Sequence, residues 1–275
     1  MDPNSNFTDC EYLRNEQYQD GNNLRSRASL HEHYSTNPIG WHTWVFAQLD
    51  LPPSAAILEV GCGPGFLWAQ NQAIVPRAWQ VLLSDFSPGM VSEARLSLHS
   101  SQNFAYLCFD VGHAPLLTGR FDGVIANHML YHVPDVDRAL SMIYNLLKPG
   151  GKLYATTNGR SHLQEIASFV GRARQEPSPG SDNVFQRSTE NFSLQSGRQK
   201  LNRLFGEVEL RHYPDSIEVD DTEAVVQFVE SSSVFGLSTA GLARLRELLQ
   251  EEIELKGTVH ITKEAGIFIA TKANA

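Results

Sequence analysis

Three glycines at alternate positions, Gly61, Gly63 and Gly65, follow the apolar run Ile57-Leu58-Glu59-Val60, which is interrupted only by an acid. Glycine tolerates a left-handed backbone and lets a ligand approach main-chain N–H groups closely. An apolar strand-like run that empties into such a loop is the pattern of a nucleotide-type cofactor site. Here the spacing is G-x-G-x-G. The dinucleotide fingerprint is G-x-G-x-x-G, with its third glycine packing helix on strand, so a nicotinamide-dependent oxidoreductase is disfavoured. About 20 residues further on, Asp85 ends the next apolar run, where an acid is placed to hydrogen-bond a ribose diol. The same carboxylate could instead cap the helix that begins near Ser87. His128 and His132 are the candidates for a general base. An unperturbed imidazole titrates near pH 6.5, which suits that work at neutral pH. The alternative is that one ring packs against the cofactor while the other fills a loop.

The elements that must position these residues alternate from Ala55 onward. Strands are expected at 56–60, 80–84, 104–109, 121–126 and 152–157, with helices at 65–72, 88–98 and 135–147 between them. Strand–helix alternation of this kind indicates an α/β fold, a doubly wound sheet with helices on both faces. Pro88 suits the first turn of its helix, and Pro149-Gly150-Gly151 is read as the stop after the helix at 135–147. Beyond residue 158 the pattern loosens. Gln175 to Asp182 is polar and rich in Pro, Gly and Ser, and a mobile surface loop is expected there. Later elements are a strand at 208–213, helices at 221–230 and 239–255, and a final strand at 267–272. Residues 1–50, rich in aromatics and histidine, read as a helical lid that shuts water out of the site, as an apolar helix pair packed on the sheet, or as both. Leu24, Ala28, Leu30 and Tyr34 share a helical face, and a short helix runs from Trp41 to Leu49.

Composition narrows the partners. The 275 residues carry a net charge of −9 and 41% hydrophobic residues. That is ordinary for a globule with a full core. There is no Lys/Arg cluster of the kind phosphate binding needs, so a nucleic-acid partner is not expected. No apolar run reaches the ~18 residues of a membrane span. The polar start, Met1-Asp2-Pro3-Asn4, has no signal-peptide pattern, and a cytoplasmic location is expected. The cysteines number three and form no CxxC pair, so they are read as reduced and structural. His31 and His33 lack acidic or Cys partners at ligand spacing, and no metal is expected.

Five further segments join the glycine loop in one order along the chain. They are Asp85 ending the second strand, Ser87-Pro88-Gly89-Met90 with Ala94, Phe109-Asp110-Val111, Phe121-Asp122-Gly123-Val124 through Val133, and Leu147-Lys148-Pro149-Gly150-Gly151-Lys152-Leu153. Together they resemble the class I S-adenosylmethionine-dependent methyltransferases, of the kind called methyltransferase type 11. The resemblance covers residues 55–158. It implies a Rossmann-like, mostly parallel seven-stranded sheet of order 3-2-1-4-5-7-6, with the last strand antiparallel between strands 5 and 6. It also implies an N-terminal helical lid at 1–50 and a cofactor-binding domain at 51–275. Substrate-pocket insertions would then lie at about 158–205 and 214–240.

The resemblance further implies S-adenosylmethionine as cofactor, S-adenosylhomocysteine as product, and a small-molecule acceptor. Gly61, Gly63 and Gly65, with Cys62 between them, would cradle the amino-acid tail, and Glu59 would lie near its ammonium. Asp85 would take the ribose. Phe86 and Met90 would face the adenine, although Met90 could equally be core. Asp110 would accept from the adenine amino group with the Val111 N–H beside it, or else simply cap a turn. Asn127 and His128 would lie beside the methionine part, and Tyr18 would cover the cofactor. O-methylation is slightly favoured over N- or C-methylation. Strand 4 continues as Asn127-His128-Met129-Leu130 and lacks the [ND]-P-P-[YF] run of nucleobase amino-methylation. Two other readings stay open: a protein that binds adenosylmethionine without methylating, and a nucleic-acid or protein methyltransferase. Oligomeric state is not legible.

Overall fold

The computed structural model describes residues 8, 11, 13, 22–98, 103–174, 190–232 and 235–274. Its centre is a seven-stranded sheet of order β3-β2-β1-β4-β5-β7-β6. The strands are β1 (Ala56–Val60), β2 (Gln80–Asp85), β3 (Phe104–Cys108), β4 (Phe121–Asn127), β5 (Leu147–Asn158), β6 (Glu207–Val219) and β7 (Val259–Thr271). The first five run parallel, and β7 lies antiparallel to both β5 and β6. This is the fold implied by the family resemblance. A ligand crevice is expected outside the carboxyl ends of such parallel strands, where the chain order reverses between β1 and β4.

Helices cover both faces. On one side α2 (Trp41–Ala47), α3 (Phe66–Asn71) and α4 (Pro88–Ser97) pack on the sheet through Val45, Trp68, Ala94 and the apolar residues of β1 and β2. On the other side α5 (Val136–Leu146) buries Val136, Ala139, Leu140, Ile143 and Leu146. These recur every three to four positions, so they form one stripe. Burying each of the larger ones is worth about 1.5–3 kcal/mol. Asp135 caps this helix by accepting from the Arg138 N–H at 2.9 Å. The short helix α7 (Gly197–Leu201) completes that face.

Several boundaries differ from the sequence reading, for identifiable reasons. β5 begins at Leu147, so Pro149-Gly150-Gly151 is an irregular strand entry, with a register shift against β4 between Phe121 and Gly123. β6 and β7 are each 13 residues long and pair along their whole length, from Glu207↔Thr271 to Val219↔Val259. Pro214 looks like a strand end in the sequence. It is tolerated because β6 is the outer strand, where a missing N–H breaks no ladder on the far side. As a result 214–219, expected in a pocket insertion, is strand.

The extended half of this hairpin carries its own apolar cluster. Ile217, Val219, Val259 and Ile261 pack with α1 (Asn22–Tyr34), α6 (Gln164–Ala173), α8 (Thr222–Glu230) and α9 (Thr239–Lys256). The helix expected from the Leu24–Tyr34 face is therefore α1. The expected mobile loop at 175–182 and the lid residue Tyr18 lie outside the described residues. Among the described residues, no helix is long and apolar enough to cross a membrane.

Candidate active site

A cavity of about 970 Å³ opens at the carboxyl ends of β1, β2, β3 and β4 and runs back under α1 and α8. Such a volume lies at the upper end of small-ligand sites, room for two molecules side by side. Its two halves differ in chemistry.

The first half is built on the glycine loop. Gly61, Gly63 and Gly65 all have left-handed backbones, with φ of 64°, 54° and 80°. Gly61 and Gly63 line the cavity. A Cβ on Gly61 would sit 2.7 Å from the Cβ of Met129, so here the glycine makes room for a neighbouring loop. Gly65 does not reach the cavity. It precedes α3, and a Cβ there would press on Ala94 at 3.3 Å, so the glycine gives room for helix packing. Cys62 is buried, its thiol donating weakly to the Gly63 carbonyl at 3.4 Å, and burial pushes its pKa up.

Three acids end the first three strands or follow them directly. Glu59 is buried and accepts from the Trp68 indole N–H at 2.6 Å. Burial, opposed by that bond and reinforced by the Asp85 charge, raises its pKa to about 8. Asp85 accepts from the Gly63 N–H at 3.0 Å and the Ser87 N–H at 2.9 Å. It thus ties the second strand to the glycine loop. Burial raises its pKa to about 6 against the pull of those N–H groups. The helix cap proper is Ser87, which accepts from the Met90 N–H, so the alternative reading of Asp85 as a cap is set aside. Asp110 accepts from the Gly112 N–H at 2.8 Å and opens a short 3₁₀ turn, Val111–His113. Phe86, Met90 and Val111 line the same half. So does Phe109, which the sequence reading did not single out.

At the junction of the halves, β4 ends in Asn127 and His128. The Asn127 carboxamide oxygen accepts from the Thr156 hydroxyl at 2.7 Å and from the Trp41 indole at 3.3 Å. With its oxygen doubly occupied, the amide presents its NH₂ as donor. His128 has φ of 52°, an uncommon backbone for a side chain with a Cβ, and its N–H donates to Thr156 at 2.9 Å. The only other described non-glycine residue with positive φ, Leu163, also lines the cavity. Strain of this sort costs about 1–3 kcal/mol per residue and gathers at functional sites. Trp41 covers the His128 ring, 4.7 Å between centroids. Burial, with the nearby His42, Lys263 and His132, lowers the His128 pKa to about 3. His132 ends a 3₁₀ turn, Leu130–His132, and lines the cavity.

The second half is formed by elements whose sequence carries no motif. His31 of α1 stacks on His162, with centroids 6.2 Å apart and planes 18° apart, and the Phe228 edge meets His31 at 5.9 Å. Lys263 and Asp215 form an ion pair, with side chains 6% and 0% exposed, as directly opposed partners across β6 and β7. Asp215 also accepts from the Ser35 hydroxyl at 2.6 Å, the Thr36 hydroxyl at 3.3 Å and the Asn37 N–H at 3.0 Å. The pair thereby fastens the segment between α1 and α2 over the cavity. His162 could have been suspected because it closely follows the end of β5. Asp215 and Lys263 could not, since only the hairpin register joins them. His42 is half-buried beside Phe66, and desolvation lowers its pKa to about 4; His33 is exposed and bonds to Ser29. No group of three or more His, Cys, Asp or Glu among the described residues is placed to hold a metal.

Residues 58–155 match the family described as a methyltransferase domain. They form a class I, S-adenosylmethionine-dependent methyltransferase domain. Over 140 residues the chain is 37% identical to a protein of Xanthomonas oryzae pv. oryzae named ubiquinone biosynthesis O-methyltransferase, and 36% identical to its namesake in Xanthomonas campestris. The alignment takes in 50% of this chain, and the chain spans 56% of the length of those relatives. In three dimensions it is similar to the phosphoethanolamine N-methyltransferase 2 of Haemonchus contortus, solved with S-adenosyl-L-methionine. The TM-score there is 0.61 at 19% identity, over 98% of this chain and 60% of that one. It is also similar to the [4+2]-cyclase SpnF, with a TM-score of 0.56 at 20% identity, over 92% and 93% of the two chains. At such identities the structural likeness establishes the fold of the methyltransferase domain and nothing finer.

Proposed function

We propose that this chain transfers the methyl group of S-adenosylmethionine to a small molecule, at a hydroxyl oxygen. The observation that carries the reading is the convergence of three carboxyl groups, Glu59, Asp85 and Asp110, with a left-handed glycine loop on one cavity that has room for a second ligand. The residues fit the cofactor. Glu59 is a buried carboxyl held protonated to about pH 8, and a ligand ammonium beside it would supply the missing counter-charge. Asp85 uses its oxygens for two N–H groups, and a carboxylate has roughly four acceptor sites, so it retains capacity for a diol. Phe86, Phe109 and Met90 supply apolar surface for a purine, with Asp110 at its edge.

When bound, the cofactor supplies a methyl group on a positively charged sulfur, ready for in-line displacement. The residues of this chain then have three tasks. Trp41, Tyr213 and the 35–37 segment exclude water. The Asn127 amide, oriented by Thr156 and Trp41, donates to the ligand at the junction. His132 would receive the acceptor's hydroxyl proton. Alignment accounts for most of the acceleration, since effective molarities for well-placed reactants reach 10⁵–10⁸ M. A base adds about 10²–10⁴-fold. The preference for oxygen is supported by the names of the sequence relatives, which are O-methyltransferases.

Calorimetry with S-adenosylhomocysteine and a labelled-methyl assay test the proposal. Asp85→Ala is expected to weaken S-adenosylhomocysteine binding by about 1–3 kcal/mol, because it leaves both the ribose and the Gly63 N–H without an acceptor. An unchanged affinity would remove Asp85 from the cofactor site. His132→Gln at saturating cofactor is expected to slow turnover at least tenfold, and a smaller loss would exclude it as the base.

A further inference from the structure

Among the described residues that line the cavity, Lys263 is the single Lys or Arg. It lies two residues from Ala265 on β7, so both face the same side of the sheet. Ala265 pairs with Asn158 at the end of β5 and with Tyr213 on β6. All four residues line the cavity and together form the floor of its inner half. Asn158 and Lys263 are diagonal neighbours across this row, about 7–8 Å apart at Cα, a gap that two side chains can close on one ligand group.

The ion partner of Lys263 stands behind it. The Asp215 side chain is fully buried and does not line the cavity, so the pair turns its ammonium toward the chamber. Its two ends are unequally served. Besides Lys263, Asp215 accepts from the Ser35 and Thr36 hydroxyls and from the Asn37 N–H. An ammonium has three N–H donors. Asp215 is the one hydrogen-bond acceptor Lys263 has among the described residues, and the Tyr213 ring centroid lies 5.1 Å from its nitrogen. Burial lowers the Lys263 pKa in spite of the bond to Asp215. Burial of Asp215 is outweighed by Lys263, Ser35 and the Asn37 N–H, so its own pKa falls. The carboxylate thus has donors in excess while the ammonium lacks acceptors, and a negatively charged ligand oxygen would supply one. A single, partly neutralised ammonium suits one negative charge, that of a carboxylate and not of a phosphate dianion.

The other polar groups of this half bring no competing charge. The Asn158 carboxamide and the hydroxyl of buried Ser232 bond to no other described side chain, and each can donate to an anion. Burial holds His128 and His162 uncharged at neutral pH. Glu32 lines the rim from α1, exposed to water and screening salt. The stacked His31 and His162 and the Phe228 edge wall the chamber, which suits a flat ring. Lys263 and His132 both act on the His128 ring, so both lie near it and one ligand can span them.

We propose that the inner chamber takes a hydroxy acid, whose carboxylate docks on Lys263 and Asn158 and whose hydroxyl is thereby held toward His132. That this hydroxyl is the one methylated rests on the methyl-transfer reading. The anion site on Lys263 does not.

The test is calorimetry on the full chain with three probes that share a phenol ring and differ at the other end: 4-hydroxyphenylacetate, its neutral amide 4-hydroxyphenylacetamide, and the cation tyramine. Each is titrated with and without saturating S-adenosylhomocysteine. The carboxylate is expected to bind at least about tenfold more tightly than the amide and the amine, the scale of one hydrogen bond to a charged group. Lys263→Met should bring carboxylate and amide to equal affinity, and Lys263→Arg should keep the preference. Asp215→Asn should enlarge it, because the ammonium loses its own counter-charge. A pair that only fastened the lid would weaken both probes alike and leave their ratio unmoved in every variant, which would overturn the proposal. So would amide or tyramine binding as tight as the carboxylate in the unaltered protein, or no binding of the carboxylate. That series decides even where thermal melting shows a variant unfolded. Failure to bind S-adenosylhomocysteine, or to methylate 4-hydroxyphenylacetate that binds, would count against the methyl-transfer reading alone.

Discussion

At the scale of single residues, the site is defined by carboxyl groups that keep their protons longer than usual. Burial lifts Glu59 from 4.5 to about 8 and Asp85 from 3.8 to about 6. Since the folded state holds these protons where the unfolded chain releases them, their contribution is complete below about pH 4. It is lost as pH rises through 6 for Asp85 and through 8 for Glu59. The ligand-free protein is therefore expected to melt at falling temperatures from pH 5 to pH 8. Glu59→Gln should flatten the part above pH 6, as followed by thermal denaturation in a buffer series. An unchanged slope would show that Glu59 titrates normally. A second residue-scale prediction concerns Gly61. Alanine there must adopt a φ of 64° and place its Cβ 2.7 Å from that of Met129. Gly61→Ala should destabilise the fold by about 1–3 kcal/mol in urea titrations, with or without cofactor. A loss seen only in cofactor affinity would mean that the glycine serves the ligand and not the Met129 contact.

At the scale of elements, the segment that carries Trp41 over the site is held by a device distant in sequence. The segment between α1 and α2 adds a bridge, Ser35↔Ile217, to the free edge of β6, and the Thr36 N–H donates to the Ser216 carbonyl at 2.9 Å. The Tyr213 hydroxyl donates to the Ile39 carbonyl at 2.6 Å. These contacts set Trp41 over His128 and beside Asn127. Two substitutions separate its roles. Trp41→Phe keeps a ring over His128 but loses the N–H bond to Asn127, whereas Trp41→Ala loses both. The alanine variant is expected to lower kcat by more than tenfold with a smaller change in S-adenosylhomocysteine affinity, and the phenylalanine variant should fall between it and the wild type. Equal kinetics for the two would mean that only the ring matters.

At the scale of the whole molecule, cofactor binding and stability are linked. The glycine loop, Asp85 and the β4 end are joined by hydrogen bonds that exist only in the folded chain. A ligand that binds only this state stabilises it by about 2.7 kcal/mol at a concentration of 100 Kd. For a domain of this size that corresponds to a rise in Tm of roughly 5–10 °C. S-adenosylhomocysteine should produce such a shift in a differential scan, and NAD should not. The reverse pattern would contradict the cofactor assignment drawn from the loop spacing.

The sequence by itself determined that the glycine loop and the strand-end acids would lie together. These residues, from Glu59 through Asp110, fall within successive strand–loop units, and each position follows from local rules: an apolar run, a glycine that permits positive φ, an acid at a strand end. Such rules act over a few residues, so they survive in the linear chain. Tertiary structure decided the rest. The length of β6 was hidden by Pro214, which reads as a break until the strand is known to be an edge. The ion pair of Asp215 and Lys263 exists only through the β6–β7 register, and the stack of His31 on His162 only because α1 folds across the turn after β5. The low pKa of His128 is likewise a property of burial. Burial depends on elements contributed by the entire chain, and no spacing along it encodes the outcome.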